Sequence, residues 1–221
     1  MVPRLPETRS LRVPAGTWVD RRAARFARRA AAMHSPAMNP VSVLAIAGSC
    51  RRRSFNRALL RAAILRAPEG VEVRDFDPSR LPFYDGDVEA AGDPDEVAEF
   101  KAAVHAADLV LLVTPEYNGG LPAVLKNAVD WGSRPPRPQA WDGRPVAIMG
   151  ATPGRLGTAL AQRSLRESLA GLNAHVMPQP RVLLSAAGAV FDDDLELADE
   201  ATGRHLDRFM SAAAEWARRF R

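Results

Sequence analysis

The chain has 221 residues, 47% of them hydrophobic, with a single cysteine (Cys50) and four scattered histidines. That length suits one domain plus an extension, and the composition excludes a disordered or low-complexity chain. No apolar run approaches the roughly 18–20 residues of a membrane helix, and one cysteine excludes an internal disulfide framework and fits a reducing compartment. His34, His105, His175 and His205 show no metal-ligand spacing, with neither HExxH nor paired CxxC.

The formal net charge of +4 is unevenly placed. Residues 1–39 carry eight arginines against Glu7 and Asp20, which leaves the remaining 182 residues with 22 basic and 24 acidic side chains. A nucleic-acid-binding domain should be basic in its folded part, and this one is not. Residues 1–39 therefore read as an Arg-rich, poorly ordered extension outside a domain spanning 40–221. They lack the apolar core of a secretory signal, and Asp20–Met33 suits a short Arg-rich helix. Three readings stay open for this leader: a dangling tail or upstream segment with translation starting nearer Met33 or Met38, an arm on a partner subunit, or a targeting or anion-binding segment.

Val41–Ala47 is a nearly continuous apolar run closed by Gly48-Ser49, the pattern of a strand buried on both faces of a parallel sheet. A helix is expected from Ser54 to about Ala67, broken by Pro68-Glu69-Gly70. Val71–Phe76 alternates as an edge strand with one wet face. Leu81–Gly92 reads as a polar loop. Pro94–Ala107 reads as a helix with Asp93 as its N-cap. Leu109–Thr114 is a second buried strand, and Pro122 opens a helix running to about Trp131. Gly132–Gly143, with three prolines, is irregular. Pro145–Gly150 is the third buried strand and Thr158–Leu172 a helix. Ala174–Met177 and Val182–Leu184 supply a last strand interrupted by Pro178 and Pro180, and Asp194–Arg219 closes as a helix.

Strands alternating with helices indicate an α/β fold with a doubly wound, five-stranded parallel sheet covered on both faces. Right-handed crossovers then bring the loops 48–55, 115–121 and 151–157 to one sheet edge, where ligands bind at the switch in strand order. The first loop, Gly48-Ser49-Cys50-Arg51-Arg52-Arg53-Ser54-Phe55-Asn56, combines a helix N-terminus, two hydroxyls and three guanidiniums, which together suit a phosphate. Neither GxGxxG nor GxxxxGK[ST] is present. In the second loop, Gly119-Gly120 allows backbone to approach a flat ligand, Tyr117 offers a ring face, and Asn118 offers bonds to ring heteroatoms.

GSCRRRSFN (48–56), PEYNGGLPAVLKNAVDW (115–131) and GRLGTALAQRSLR (154–166) resemble the three signatures of the NADPH-dependent FMN reductase family, which includes quinone, chromate and azo-dye reductases. The resemblance spans roughly residues 41–185 and implies a flavodoxin-like fold. It further implies that Ser49, Arg51, Ser54 and Asn56 hold the FMN phosphate and its approach. Pro115, Glu116, Tyr117, Asn118 and Gly119 would line the isoalloxazine. NADPH or NADH would supply hydride to FMN, which then reduces a small-molecule acceptor, with no separate catalytic acid–base pair. A homodimer or homotetramer in the cytoplasm, without nucleic-acid or membrane partners, completes that expectation. Two positions depart from the family pattern: Arg53, where many relatives have Gly, and Cys50, where an aliphatic residue is common. The rival readings are a flavodoxin-type electron carrier, which the Arg-rich loop disfavours, and a non-flavin module that kept the fold. Lys126 and Asp130 read as a surface i,i+4 pair, Trp131 and Trp141 as packing anchors, and His105 as an ordinary residue near a helix end.

Overall fold

The computed structural model describes residues 39–221; the leader, with its expected Asp20–Met33 helix, lies outside the described residues. The elements are β1 (Val41–Ala47), α1 (Phe55–Leu65), β2 (Val71–Phe76), α2 (Gly86–Ala91), α3 (Asp95–Ala106), β3 (Leu109–Val113), α4 (Ala123–Gly132), β4 (Pro145–Ala151), α5 (Ala159–Gly171), β5 (His175–Val176), β6 (Val182–Leu184) and α6 (Glu200–Arg218). Every strand pairs in parallel, in the order β2-β1-β3-β4-β5, with β6 also on β4. This is the flavodoxin-like order expected of a doubly wound sheet.

Strand periodicity sorts the core into two layers, since successive side chains leave a strand on opposite faces. Val41, Val43, Ala45 and Ala47 of β1 face α1 and α6, meeting Leu59, Ala63, Leu206 and Phe209. Leu44 and Ile46 face the other way, into the layer built by Val97 and Phe100 of α3, Leu125 of α4 and Leu165 of α5. β1, β3 and β4 are buried on both sides, which is why they read as unbroken apolar runs. Trp131 and Trp141 are fully buried in the second layer, with their indole N–H groups donating to the Pro82 and Val129 carbonyls at 2.8 and 3.1 Å. They are packing anchors.

Several local expectations need correction. The expected loop Leu81–Gly92 contains α2, capped by the Asp85 side chain, which accepts from the Asp87 amide at 2.8 Å. Asp93 does not cap α3. Pro94 holds the cap position without a side-chain bond, and the Asp93 carboxylate instead pairs at 2.7 Å with Lys101, a lysine only 4% exposed. Burial forces that choice, since a buried ammonium needs a counter-charge. Pro122 is likewise the cap of α4 rather than its first helical residue. The interrupted last strand is two short strands on one edge of β4, because Pro178 and Pro180 lack the N–H groups a continuous ladder requires. The closing helix starts at Glu200, not Asp194. The Asp192 carboxylate accepts from the Asp194 and Glu196 amides, so a side chain takes the donors that helix geometry needed.

Candidate active site

The order β2-β1-β3 places the switch point between the carboxyl ends of β1 and β3. The loops after β1, β3 and β4 meet there. Each is tied to a neighbouring strand by main-chain bonds: Gly48 N–H to Val113 O at 2.8 Å, Thr114 N–H to Met149 O at 2.9 Å, and Thr152 N–H to Leu184 O at 2.9 Å. Gly48 is required by packing, since a β-carbon there would lie 2.5 Å from Leu125 Cδ1 of α4.

In the loop after β1, Ser54 caps α1, its Oγ accepting from the Asn56 and Arg57 amides. Its own O–H remains available to donate. Ser49 is 3% exposed, and its Oγ has no hydrogen-bond partner among the described residues. A buried hydroxyl without a partner is destabilising unless a ligand satisfies it. Arg51 and Arg52 are exposed, with no carboxylate paired to either among the described residues. Arg53 reaches away and donates to the Asp193 carbonyl at 2.5 Å. Exposed Cys50 sits among them. Asn56 is 4% exposed and its amide is used twice: Nδ2 donates to Ala151 O at 2.8 Å, and Oδ1 accepts from Ala151 N–H at 2.9 Å. It pins the start of α1 to the end of β4.

In the loop after β3, Pro115 is buried and Thr114 is fully buried, its Oγ1 donating to Pro115 O. Tyr117 and Gly120 exchange two main-chain bonds, of 3.2 and 2.9 Å, around Asn118 and Gly119 at φ +52° and +71°. This is a two-residue turn of the type that needs positive φ at both central positions, for which Asn-Gly is the preferred pair. Tyr117 is half exposed; Leu160 of α5, within reach of Gly119, and Leu156 of the loop after β4 are exposed as well. Glu116 points elsewhere. Its carboxylate accepts from the Leu160 and Ala161 amides at 2.8 and 3.1 Å, so it caps α5 from another loop. Thr158, at the α5 cap position, makes no such bond.

The structure therefore brings all nine expected site residues to one edge and divides them. Ser49, Arg51, Ser54, Tyr117, Asn118 and Gly119 present groups at the edge, Pro115 is buried, and Asn56 and Glu116 cross-brace the loops. Arg57 was missed from sequence. Its Nε donates to the Ser49 carbonyl at 2.9 Å and a terminal nitrogen lies 3.6 Å from Asp77. Burial pushes the Asp77 carboxyl up, but bonds from Ser79 and the nearby Arg57 charge outweigh this and hold it below its ordinary value. Arg57 thus stays paired with an ionised carboxylate while it fixes the loop that carries Ser49. No spacing rule marks it.

Comparisons with known proteins identify the family. Residues 41–189 match the profile of the NADPH-dependent FMN reductase family. An NAD(P)H-dependent FMN reductase of Pseudomonas aeruginosa is 42% identical over 181 residues, covering 82% of this chain and 97% of that protein. A 2-hydroxy-1,4-benzoquinone reductase of a Burkholderia species is 39% identical over 179 residues, covering 80% of this chain and 97% of that protein. Among solved structures, the flavoenzyme FerB of Paracoccus denitrificans, an NAD(P)H:(acceptor) oxidoreductase, superposes with a TM-score of 0.75 at 32% identity, covering 81% of this chain and 98% of that one. Cross-braced strand-to-helix loops, a buried hydroxyl awaiting a partner beside a helix N-terminus and these likenesses converge, and the chain belongs to the NADPH-dependent FMN reductase family.

Proposed function

We propose that this protein is an FMN-dependent oxidoreductase that uses a reduced nicotinamide nucleotide to reduce quinones, and that the edge described above is its active site. The observation that carries the site assignment is the buried, partnerless Ser49 Oγ at the start of the loop leading into α1. The residues present fit FMN. Ser49 and Ser54 offer O–H donors, Arg51 offers a charge-assisted donor, and the α1 N-terminus adds a partial positive charge, all suited to a terminal phosphate. Asn56 and Arg57 hold that cradle in place. Pro115, Tyr117, Asn118 and Gly119 form the wall for a flat ring, and Glu116 fixes the wall by capping α5. FMN held there would supply the redox chemistry between the nicotinamide nucleotide and the acceptor. The protein contributes position: main-chain N–H groups of the loop after β3 would stabilise negative charge on the ring, and the apolar side chain of Leu160, next to Gly119, would border it.

Quinones are the acceptor class named for the Burkholderia relative, and the apolar rim of Tyr117, Leu156 and Leu160 suits them. Residues 1–39 lie outside the family match, which begins at residue 41, and act as an extension to the flavin domain. A homodimer or homotetramer and a cytoplasmic location complete the reading, the latter in keeping with the single exposed thiol of Cys50. None of the described helices is long and apolar enough to cross a membrane.

Absorbance of the purified protein, chromatography of the released cofactor and nucleotide oxidation with benzoquinone test the whole reading. We expect about one FMN per subunit and quinone-dependent NAD(P)H oxidation. FAD in place of FMN, or no flavin even after reconstitution, would sink it.

A further inference from the structure

A groove of about 340 Å³ runs between α5 and β6, starting where the ring-side loop ends. Its apolar floor includes Leu160 and Leu183, and a β-carbon built on Gly119 would lie 3.4 Å from Leu160 Cδ1. Its walls carry Arg163, Arg166 and Arg181 against a single carboxylate, Glu167. That carboxylate is engaged: Glu167 pairs with Arg163 at 2.9 Å. Arg166 and Arg181 are left with no carboxylate partner among the described residues.

The two guanidiniums are poised for an anion. Arg166 donates one terminal N–H to the Met177 carbonyl at 2.8 Å, while its buried Nε has no partner. Burial lowers the pKa of Arg166, and the charge of Arg181 lowers it further, so the two cations oppose each other in the unliganded groove. An anion between them removes that repulsion and accepts charge-assisted bonds, for which the guanidinium fork matches phosphate geometry. From Leu160 to Arg166 is six residues of helix, about 9 Å along the axis. The cations therefore stand beyond the ring edge, along an apolar floor suited to a ribose or adenine.

We infer that the α5–β6 groove binds a phosphate of the nicotinamide nucleotide between Arg166 and Arg181, so that α5 and the residue preceding β6 set nucleotide affinity while the loops after β1 and β3 hold FMN. The inference rests on the NAD(P)H-driven function proposed above. In a dinucleotide the phosphate is either the 2′-phosphate of NADPH or the diphosphate common to NADPH and NADH.

Arg181→Ala is the informative change, because the side chain is exposed and makes no hydrogen bond to another described element. Steady-state kinetics with NADPH and with NADH, at one saturating benzoquinone concentration, are paired with calorimetric titration by adenosine 2′,5′-bisphosphate and by AMP. We expect KM for NADPH to rise about tenfold with kcat nearly unchanged, and Arg181→Lys to recover part of the loss. A rise confined to NADPH, with the bisphosphate weakened and AMP unaffected, assigns the 2′-phosphate. A similar rise for NADH assigns the diphosphate. If neither nucleotide KM nor bisphosphate affinity moves, or only the quinone KM moves, the inference is overturned. A wild-type protein that oxidises neither nucleotide would instead overturn the proposed function, and the bisphosphate titration would still judge the groove.

Discussion

The loops after β1 and β3 solve opposite problems. The loop after β1 leaves polar groups unmatched: Ser49 Oγ is buried without a partner, and Arg51 is exposed with no carboxylate beside it among the described residues. The loop after β3 satisfies itself. Its turn closes on two main-chain bonds, Thr114 donates to Pro115 O, and Glu116 caps α5. The first is organised to bind a charged group through donors the fold does not use. The second is a preformed wall that recognises a flat ring by shape. Changes in the first should therefore alter affinity at nearly constant stability, and changes in the second should alter stability and ring placement together.

The brace from the start of α1 to the end of β4, which is structural and not part of the phosphate-binding set, should give the largest effect. Asn56→Ala removes both bonds to Ala151 and strands a buried N–H and a buried C=O, a loss of about 2–4 kcal/mol of unfolding free energy. Chemical denaturation measures it. A loss below about 1 kcal/mol would show that the loops after β1 and β4 do not depend on this amide.

Within the loop after β1, Arg51→Ala should weaken FMN by roughly 10- to 150-fold, equivalent to about 1.5–3 kcal/mol for a lost charge-assisted bond. Arg53→Ala should do much less, because Arg53 is turned onto the Asp193 carbonyl. Flavin titration of both variants decides this, and equal small effects would mean that serines and main-chain amides hold the phosphate.

The third effect separates strain from contact. Gly119 sits at φ +71°, so Gly119→Val is strained by roughly 1–3 kcal/mol before any ligand arrives. Gly119→Asn tolerates that backbone and still adds bulk. We expect Gly119→Val to lower both Tm and flavin content, and Gly119→Asn to keep its Tm while losing flavin or turnover. A fully loaded, fully active Gly119→Asn would remove the ring from this turn.

Glu116→Ala should cost about 1 kcal/mol as a lost helix cap, with a modest loss of turnover as the loop separates from α5. Unchanged Tm and turnover would show that α5 needs no cap from this loop. The smallest effect belongs outside the domain. A chain beginning at Met38 should fold, bind flavin and turn over as the full chain does, because β1 begins at Val41 and the family match at the same residue. Insolubility or loss of flavin would make the leader part of the flavin domain.

The sequence by itself determined the features whose signals are local. Apolar runs marked β1, β3 and β4, because strands buried on both faces cannot alternate. Ser54 ahead of an apolar-periodic stretch marked where α1 begins, and Gly119-Gly120 marked a close-approach loop, because helix starts and glycine positions depend on φ/ψ preferences within a few residues; that Ser54 caps the helix and that the turn centres on Asn118-Gly119 came from the structure. Tertiary structure decided everything that joins distant residues. Asn56 finds Ala151 across 95 positions, Glu116 finds Leu160 across 44, and Arg57 finds Ser49 from the next turn of chain while it also reaches Asp77. Asp93 reads as a cap until Lys101 is buried beside it, and Asp192 ends what looked like helix by taking its amide donors. A polar side chain has several possible partners in an unfolded chain. Only burial, which leaves the unpaired alternatives destabilised by a few kcal/mol, selects among them.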